Sequence, residues 1–479
     1  MNKKWLLPLA IILSLAIGAA GGMFFEPDLF MKWNSPREVE KREPAVAMDV
    51  DLEKVEQAYD LISKHYIHKV SHEELVSGAI QGMISQLEDP YSIYMDQETA
   101  KQFNQSLDSS FEGIGTEIGL EEERIVIVAP YKDSPAEKAG LKARDEIISV
   151  NGESVKGLNV QEVSVKIRGE KGTKVQLEIK RPGVAKHLNF EIKRDQIPIE
   201  TVFSSIKKES GKNIGYIEIA SFSEKTAADF KEQLADLEKQ EIDSLIIDVR
   251  GNPGGLLPAV AEITDAIVSS DKPFVQTEDR NGDKSKTYSR LEKKKPYNMA
   301  VLIDNGSASA SEILAAAMEE AGGYTLIGEK TFGKGTVQQV VPMQDGSDIK
   351  LTTSKWLTPD GNWIHGKGIE PTIEIAQPAI YKTYPLSIDA TLKRDMTNEQ
   401  IMHAQEMLKG LGYEPGRQDG YFDLKTEIAV KAFQANSKLD VTGTIDEKTA
   451  AELENKILEE IKDEENDVQL LAAIRYLAK

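Results

Sequence analysis

The chain has 479 residues, 40% of them hydrophobic and 29% charged, which suggests roughly three domains at about 150 residues each and excludes wholesale disorder, a collagen-like chain and a polytopic membrane protein. It has no cysteine, so disulfides, a thiol nucleophile, thiolate zinc sites, iron–sulfur clusters and a lipid-modified cysteine anchor are excluded together. A formal charge of −21, from 58 Lys and Arg against 79 Asp and Glu, repels phosphates and argues against nucleic acid as a partner.

Lys3 and Lys4 precede an uncharged run from Trp5 to Phe25, about 31 Å long as a helix and enough to cross a hydrocarbon core. Positive charge before the run keeps that end in the cytoplasm, so the rest of the chain is expected outside it. Residues 1–25 are either a cleaved signal peptide, with small residues at Ala16–Ala20, or an uncleaved transmembrane anchor. Residues 26–48 hold Pro27, Pro36, Pro44 and many charges and read as a tether. Residues 49–107 form a helical region, because Leu52, Val55, Tyr59, Ile62 and Tyr66 recur at helical steps. His65, His68 and His72 imitate a metal spacing there, but no further ligand is fixed by the pattern, and we expect no metal.

Residues 108–196 change to short β-type runs between glycine turns, such as Arg124–Ala129 and Val175–Lys180. The string Ser134-Pro135-Ala136-Glu137-Lys138-Ala139-Gly140-Leu141, followed by Asp145, Ile147, Ile148, Val150, Asn151 and Gly152, resembles a PDZ domain of the bacterial protease type. Upstream, Phe111-Glu112-Gly113-Ile114-Gly115 sits where that family places its carboxylate-binding loop. Glycines there let backbone N–H groups of Gly113, Ile114 and Gly115 converge into an anion nest, beside which an extended peptide can add a strand. Arg168, ending the helical stretch Val160–Ile167, reads as a peptide contact, a core contact or a plain surface arginine.

Residues 197–375 alternate strand and helix: Asn213–Ala220, Glu224–Gln240, Ser244–Val249, Pro258–Val268, Met299–Asp304 and Ser309–Glu320. That order predicts a layered α/β core, and after it β-type runs follow at Thr336–Met343 and Asp348–Trp356. Val301–Asp304 leads through Asn305-Gly306-Ser307-Ala308 to Ser309, at a strand end before a helix. The Ala310 N–H and the helix dipole favour negative charge beside Ser309. The competing reading is a plain N-cap, since Ser309 and Glu312 spell a capping box.

Farther on, Lys334 stands between Gly333 and Gly335. A buried, neutral lysine can replace histidine as the base for a serine; otherwise Lys334 is a turn residue on the surface. Gln338 is a candidate to orient it, although four residues along a strand span about 13 Å. Gly328-x-x-x-x-Gly333-Lys334 nearly spells a phosphate loop, but Gly335 stands where Ser or Thr must hold Mg²⁺, so no nucleotide is expected. The third piece, Asp248-Val249-Arg250-Gly251-Asn252-Pro253-Gly254-Gly255, turns sharply after a buried strand, and an N–H at Gly254 or Gly255 would complete an oxyanion site with Ala310.

These three pieces in order, with Leu87-Glu88-Asp89-Pro90-Tyr91-Ser92 before them, resemble the carboxy-terminal processing (tail-specific) proteases over residues 50–375, particularly those of spore-forming Gram-positive bacteria. The resemblance implies a crotonase- or ClpP-like α/β core with an inserted PDZ domain. It also implies Ser309 as nucleophile, Lys334 as general base and Gln338 as its orienting partner. Cleavage near a substrate's C-terminus would need no metal, ATP or other cofactor, and a regulatory role such as sporulation signalling is implied. We expect protein or peptide substrates with free C-termini, and a homodimer. The rival reading is a non-catalytic scaffold of PDZ and wall-binding modules around a dead core.

Residues 376–394 are a proline-marked linker. Within 395–453, Leu411-Gly412-Tyr413, Asp419-Gly420-Tyr421-Phe422, Phe433-Gln434 and Thr442-Gly443 resemble a three-helix peptidoglycan-binding domain, which implies either wall binding or a structural role. Residues 454–479 read as one charged C-terminal helix, whose acidic run Glu459–Asp467 reads as a solvated face. Its apolar close at Val468, Leu471, Ile474 and Leu477 faces either a partner or the chain itself.

Overall fold

The computed structural model describes residues 52–479 apart from 108–109, 122–123, 132–133, 143, 183, 185, 385 and 387–389. The anchor-or-signal segment 1–25 and the tether 26–48 lie outside the described residues. Among the described residues no helix is long and apolar enough to cross a membrane.

Helices α1 (Glu53–His65) and α2 (His72–Ser85) open the described chain. Acidic residues in the first turn of α1 and Lys64 and His65 in its last suit the helix dipole. The helical region is not continuous: a short strand β1 (Ile93–Met95) precedes α3 (Gln97–Leu107). Pro90 accounts for the break, since it has no N–H and disfavours helical geometry at Asp89.

The next unit comprises β2 (Ser110–Gly113), β3 (Thr116–Glu121), β4 (Arg124–Pro130), α4 (Pro135–Ala139), β5 (Glu146–Val150), β6 (Glu153–Ser154), α5 (Val160–Ile167), β7 (Lys174–Lys180), β8 (Leu188–Lys193) and β9 (Asp195–Pro198). Its sheet runs β3-β4-β5-β7-β8 with β6 on β5, while β2 and β9 pair separately as a ribbon. Val175, Leu177 and Ile179 of β7 are buried and alternate with residues facing out, the period of a sheet covered on one face. They pack with Ile127, Ile147 and Val163 into one apolar core. Helix α5 starts on a complete capping box between Asn159 and Glu162, with bonds of 2.8 and 3.0 Å.

The α/β core then follows: β10 (Val202–Glu209), β11 (Lys212–Ile219), α6 (Thr226–Lys239), β12 (Ser244–Asp248), α7 (Leu257–Ile267), β13 (Pro273–Asp279), β14 (Lys284–Tyr288), β15 (Asn298–Ile303), α8 (Ala310–Ala316), β16 (Thr325–Gly328), β17 (Thr336–Pro342), β18 (Asp348–Leu357) and β19 (Ile373–Glu374). One sheet has the order β10-β11-β12-β15-β16-β19 and is parallel except for β10. Every residue of β12 is buried, as a central parallel strand covered on both faces requires. Ile217, Ile247 and Val301 point to the side packed by Phe230, Val260 and Leu314 of α6, α7 and α8. Ile246, Ala300 and Leu302 point to the opposite side. A second, antiparallel sheet joins β18 to β17, β1 and β13, with β14 on β13.

Beyond the core stand α9 (Glu399–Gly410), α10 (Leu424–Asn436), α11 (Glu447–Lys462) and α12 (Val468–Leu477). The first three begin on Asn398, Asp423 and Asp446, whose side chains each accept a backbone N–H three residues on, and they enclose a separate apolar core around Phe422, Phe433 and Leu453. The expected single C-terminal helix is corrected. α11 runs through the expected boundary at 453 and stops at Lys462. The acidic run then supplies two caps, Asp463 accepting from Glu465 N–H and Asp467 from Leu470 N–H, and α12 starts afresh. The expected apolar stripe is corrected in part: Ile474 and Leu477 do pack within the chain, but Leu470 and Ala473 join them in covering Ile246, Ala300, Leu302 and Ile327 on the open side of the parallel sheet, while Val468 is exposed and Leu471 half-buried, because the fresh start at Asp467 sets the phase of α12.

Candidate active site

The parallel strands β12 and β15 end side by side, with Asp248 opposite Leu302, and the two loops that leave them are stitched together. Asn252, fully buried, uses its carbonyl oxygen to accept the Ala308 N–H at 3.0 Å and the Ser311 hydroxyl at 2.8 Å. Its side chain donates to the Ile219 carbonyl at 2.6 Å and accepts the Gly254 N–H at 2.8 Å. The Ser307 hydroxyl donates to the Val249 carbonyl at 2.8 Å. Gly254 has φ +103°, and a Cβ there would lie 2.7 Å from the Ala308 carbonyl oxygen and 2.9 Å from the Ala310 nitrogen. Only glycine lets the two loops approach this closely.

Ser309 sits at the centre of this contact, half-buried, with φ +54° and ψ −111°. A non-glycine residue in that region costs of order 1–3 kcal/mol and persists only where its surroundings hold it. Glu312 is what holds it. This carboxylate is fully buried and accepts four hydrogen bonds. Oε1 takes the Thr331 hydroxyl at 2.6 Å and the Gly333 N–H at 2.7 Å; Oε2 takes the Ser309 N–H at 2.9 Å and the Lys334 N–H at 2.8 Å. The capping-box spacing thus marks more than a helix start. One oxygen gathers the backbone of Ser309 and of Lys334.

Among the expected main-chain donors, the Ala310 and Gly255 N–H groups have no partner among the described residues. The Gly254 N–H is spent on Asn252, so the expectation of Gly254 or Gly255 narrows to Gly255.

The base side is arranged differently. Lys334 is anchored through its main chain, whose carbonyl accepts the Trp356 indole N–H at 2.7 Å, while its ammonium lies 4.9 Å from the centre of the Tyr91 ring. Burial, followed by the nearby Lys350 charge, pushes the Lys334 ammonium below the ordinary lysine range, against the pull of Asp89 and Glu312. Gln338 lies on β17, where a bulge at Val337/Gln338 shifts the register. Its amide donates to Thr336 Oγ1 at 2.9 Å and Thr352 Oγ1 at 3.1 Å. Among the described residues no hydrogen bond joins the Lys334 ammonium to Ser309 or to Gln338. The Leu87–Ser92 string, given no role from sequence, lands here. Asp89 accepts the Ser92 hydroxyl at 2.6 Å, and Ser92 Oγ accepts the Thr352 N–H at 3.0 Å, so this string abuts β18 at the residue whose hydroxyl accepts from the Gln338 amide.

A second site lies in the β-rich unit. A groove of about 200 Å³ runs between β3 and α5, with Gly113, Ile114, Gly115, Ile118, Val160 and Arg168 among its walls. β3 is an edge strand, paired only with β4. Ile114 is a core side chain, 1% exposed, and its carbonyl is taken by the Ala136 N–H at 2.8 Å. Gly115 has φ +73° and lies against Ser134, where a Cβ would come within 2.5 Å. Arg168 projects over the Phe111 ring, its guanidinium carbon 5.0 Å from the centre, at the edge of the groove and not in the core.

Comparison with known proteins agrees with this layout. Peptidase family S41 matches residues 213–375 and a PDZ domain residues 126–181. An activating-protease N-terminal domain matches residues 15–99, and a peptidoglycan binding domain residues 397–453. The chain is 54% identical to the carboxy-terminal processing protease CtpB of Bacillus subtilis over 97% of this chain and 98% of that protein. It is 45% identical to CtpA of the same organism, over 90% and 91%. The chain belongs to the carboxy-terminal processing protease family. A solved photosystem II D1 C-terminal processing protease is 26% identical, covering 68% of this chain and 93% of that one with a TM-score of 0.42. This member of the family is accordingly a C-terminal processing serine protease with a PDZ domain.

Proposed function

We propose that Ser309 is the nucleophile, Lys334 its general base and Gln338 the residue that orients the base. The observation that carries this is the Glu312 Oε2 atom, which accepts from both Ser309 N–H and Lys334 N–H and so brings together two motifs far apart in sequence. The neutral Lys334 amine takes the proton of Ser309 Oγ as that oxygen attacks the substrate carbonyl. The tetrahedral oxyanion is received by the Ala310 and Gly255 N–H groups. Collapse releases the amine product, which takes the proton from Lys334, and water then resolves the acyl-enzyme.

The arrangement described above is a resting one. Lys334 must leave the Tyr91 ring, and Gln338 must leave Thr352, before the base meets the hydroxyl. The β3–α5 groove is the place for a substrate C-terminus: a peptide adds to the edge of β3, its carboxylate meets the Gly113-Ile114-Gly115 turn and Arg168, and an apolar terminal side chain enters between Ile118 and Val160.

Turnover of a protein substrate with a varied C-terminus, by wild type and by Ser309→Ala and Lys334→Ala, tests the reading. Loss of about 10³-fold or more in kcat is expected for both. Retained turnover in Ser309→Ala would put the nucleophile elsewhere, and no turnover by the wild type would favour the scaffold reading.

The remaining elements of the reading concern place and partners. Lys3, Lys4 and the apolar run support an extracytoplasmic protease, anchored or released by signal cleavage; fractionation of cells decides between the two. The 397–453 match supports wall contact, which co-sedimentation with purified peptidoglycan tests. Exposed Leu52, Val55 and Leu61 on α1 supply apolar surface for a homodimer, and a monomer mass in solution would remove that element. Regulatory processing during sporulation rests on the likeness to the Bacillus relatives, and an unchanged spore yield in a deletion strain would overturn it.

A further inference from the structure

Between the oxyanion-loop strand and the end of the chain lies a buried ion cluster that the proposed chemistry does not use. Arg250 is the second residue after β12 and opens the loop that carries Gly254 and Gly255. Its side chain turns back. Nε donates to both oxygens of Asp248 at 3.0 and 3.1 Å, and Nη2 donates to Asp248 at 2.6 Å and to Asp467 at 2.7 Å. Nη1 donates to Asp467 at 2.9 Å and to the Gln469 side chain at 3.0 Å. All five N–H donors of the guanidinium are therefore spent, and the bond to Asp467 is the two-pronged kind that fixes both partners in orientation.

Asp467 is held as firmly from its own side. It is the N-cap of α12, accepts the Leu470 N–H at 2.9 Å and accepts the Gln377 amide at 2.7 Å. Gln469, fully buried, donates to the Ile375 carbonyl at 2.7 Å. Burial works against a charged Asp467, but Arg250 keeps its carboxyl below the usual range. The helix behind it is seated on the parallel sheet by Leu470, Ala473, Ile474 and Leu477. Residues 463–478 are thus wedged under the root of the glycine loop, more than two hundred residues away in sequence.

We propose that Asp467 is a positioning residue for the glycine loop, acting through Arg250, so that α12 belongs to the catalytic apparatus. The proposal rests on the reading that Gly255 donates to the oxyanion. The Gly255 N–H must point at the place where negative charge develops, and a displacement near 1 Å is enough to lose about 10²-fold in rate. Without Asp467, two of the guanidinium donors lose their acceptor, and the loop root is free to reorient.

The test uses the full chain with Asp467→Ala, Asp467→Asn and Asp467→Glu, alongside Ser309→Ala. The readouts are kcat and KM on a fluorogenic peptide with a free C-terminus, the affinity for a peptide boronic acid, which mimics the tetrahedral oxyanion, and thermal stability. Asp467→Ala is expected to lower kcat by about 10- to 100-fold with KM little changed. Boronate affinity should fall in parallel, and Asp467→Glu should recover part of both. If Asp467→Ala does not fold, Asp467→Asn, which keeps the shape and one acceptor oxygen, gives the same reading with a smaller loss. A fall in thermal stability with kcat per boronate-titrated site unchanged overturns the proposal, as does full activity in all three variants. Failure of the underlying reading looks different: the wild type itself would then bind the boronate no more tightly than the matched unmodified peptide, whatever the Asp467 variants do.

Discussion

The two loops that Glu312 joins, at Ser309 and at Lys334, hang on different sheets. The serine side grows from the ends of β12 and β15, parallel strands buried on both faces, and its backbone is locked by Asn252 and Glu312 down to a strained φ at Ser309. The lysine side leads into β17 of the antiparallel sheet, whose residues are half-exposed or exposed. There the main chain is fixed, but the side chains are turned away from Ser309, Lys334 to Tyr91 and Gln338 to Thr352. On the proposed reading the main-chain donors are preset, while the proton acceptor has to be brought in. β18, the partner of β17, also pairs with β1, and α3 leads from β1 toward the β-rich unit, while β9 leads out of that unit into β10 of the parallel sheet, so both sheets are joined to it through short stretches of chain.

Glu312 is where the two sides meet, and its loss is the harshest way to break the contrast. A carboxylate accepts at both oxygens, whereas an amide presents donors at one of them. Glu312→Gln should therefore orphan or repel two of the four buried bonds, lowering stability by about 2–4 kcal/mol and kcat by about 10²-fold. Denaturant titration and steady-state kinetics check this. Wild-type values in both would mean the two loops are held by something else.

A finer instrument is pH. On the proposed reading the neutral amine is the active form, and because burial and Lys350 hold the Lys334 ammonium below the ordinary lysine range, kcat/KM should rise with pH through that depressed value. Lys350→Gln removes a positive neighbour, which raises the Lys334 value and moves the rising limb to higher pH. Asp89→Asn removes a negative neighbour and moves it to lower pH. Limbs that stay in place in both variants would show that another group sets the profile.

How much of this was legible in the residues follows the same division. Buried apolar runs such as Ser244–Asp248 and Asn298–Ile303 declared the parallel core, and the glycines of the 251–255 loop and the Ser309 turn declared the sharp turns at its strand ends, because sterics and periodicity are local. Strands β1, β10, β13 and β14 were not legible. Ile93–Met95 is only three residues long, and its pairing with β18 is set by tertiary contact, which short patterns do not encode. Glu312 was visible as a helix cap but not as a clamp, since its other partners come from Thr331 to Lys334. The acidic run Glu459–Asp467 looked like a solvated face. Two of its aspartates proved to be caps, and one of those is an ion-pair partner to Arg250.

The smallest expected effect concerns strain alone. Ser309→Gly and Ser309→Ala both lack the nucleophile and should both be inactive, but glycine tolerates φ +54° where alanine does not. Ser309→Gly should be more stable than Ser309→Ala by about 1 kcal/mol, measured as a shift in denaturation midpoint. Equal midpoints would mean the turn relaxes when the hydroxyl is gone.

The seat of α12 on the parallel sheet also has a consequence in time. During synthesis the strands of that sheet leave the ribosome long before Leu470, Ala473, Ile474 and Leu477 exist. Until those four arrive, the face bearing Ile246, Ala300 and Leu302 stays wet. A half-made chain therefore lacks both the cover of that face and the Arg250–Asp467 pair until translation has passed the last helix.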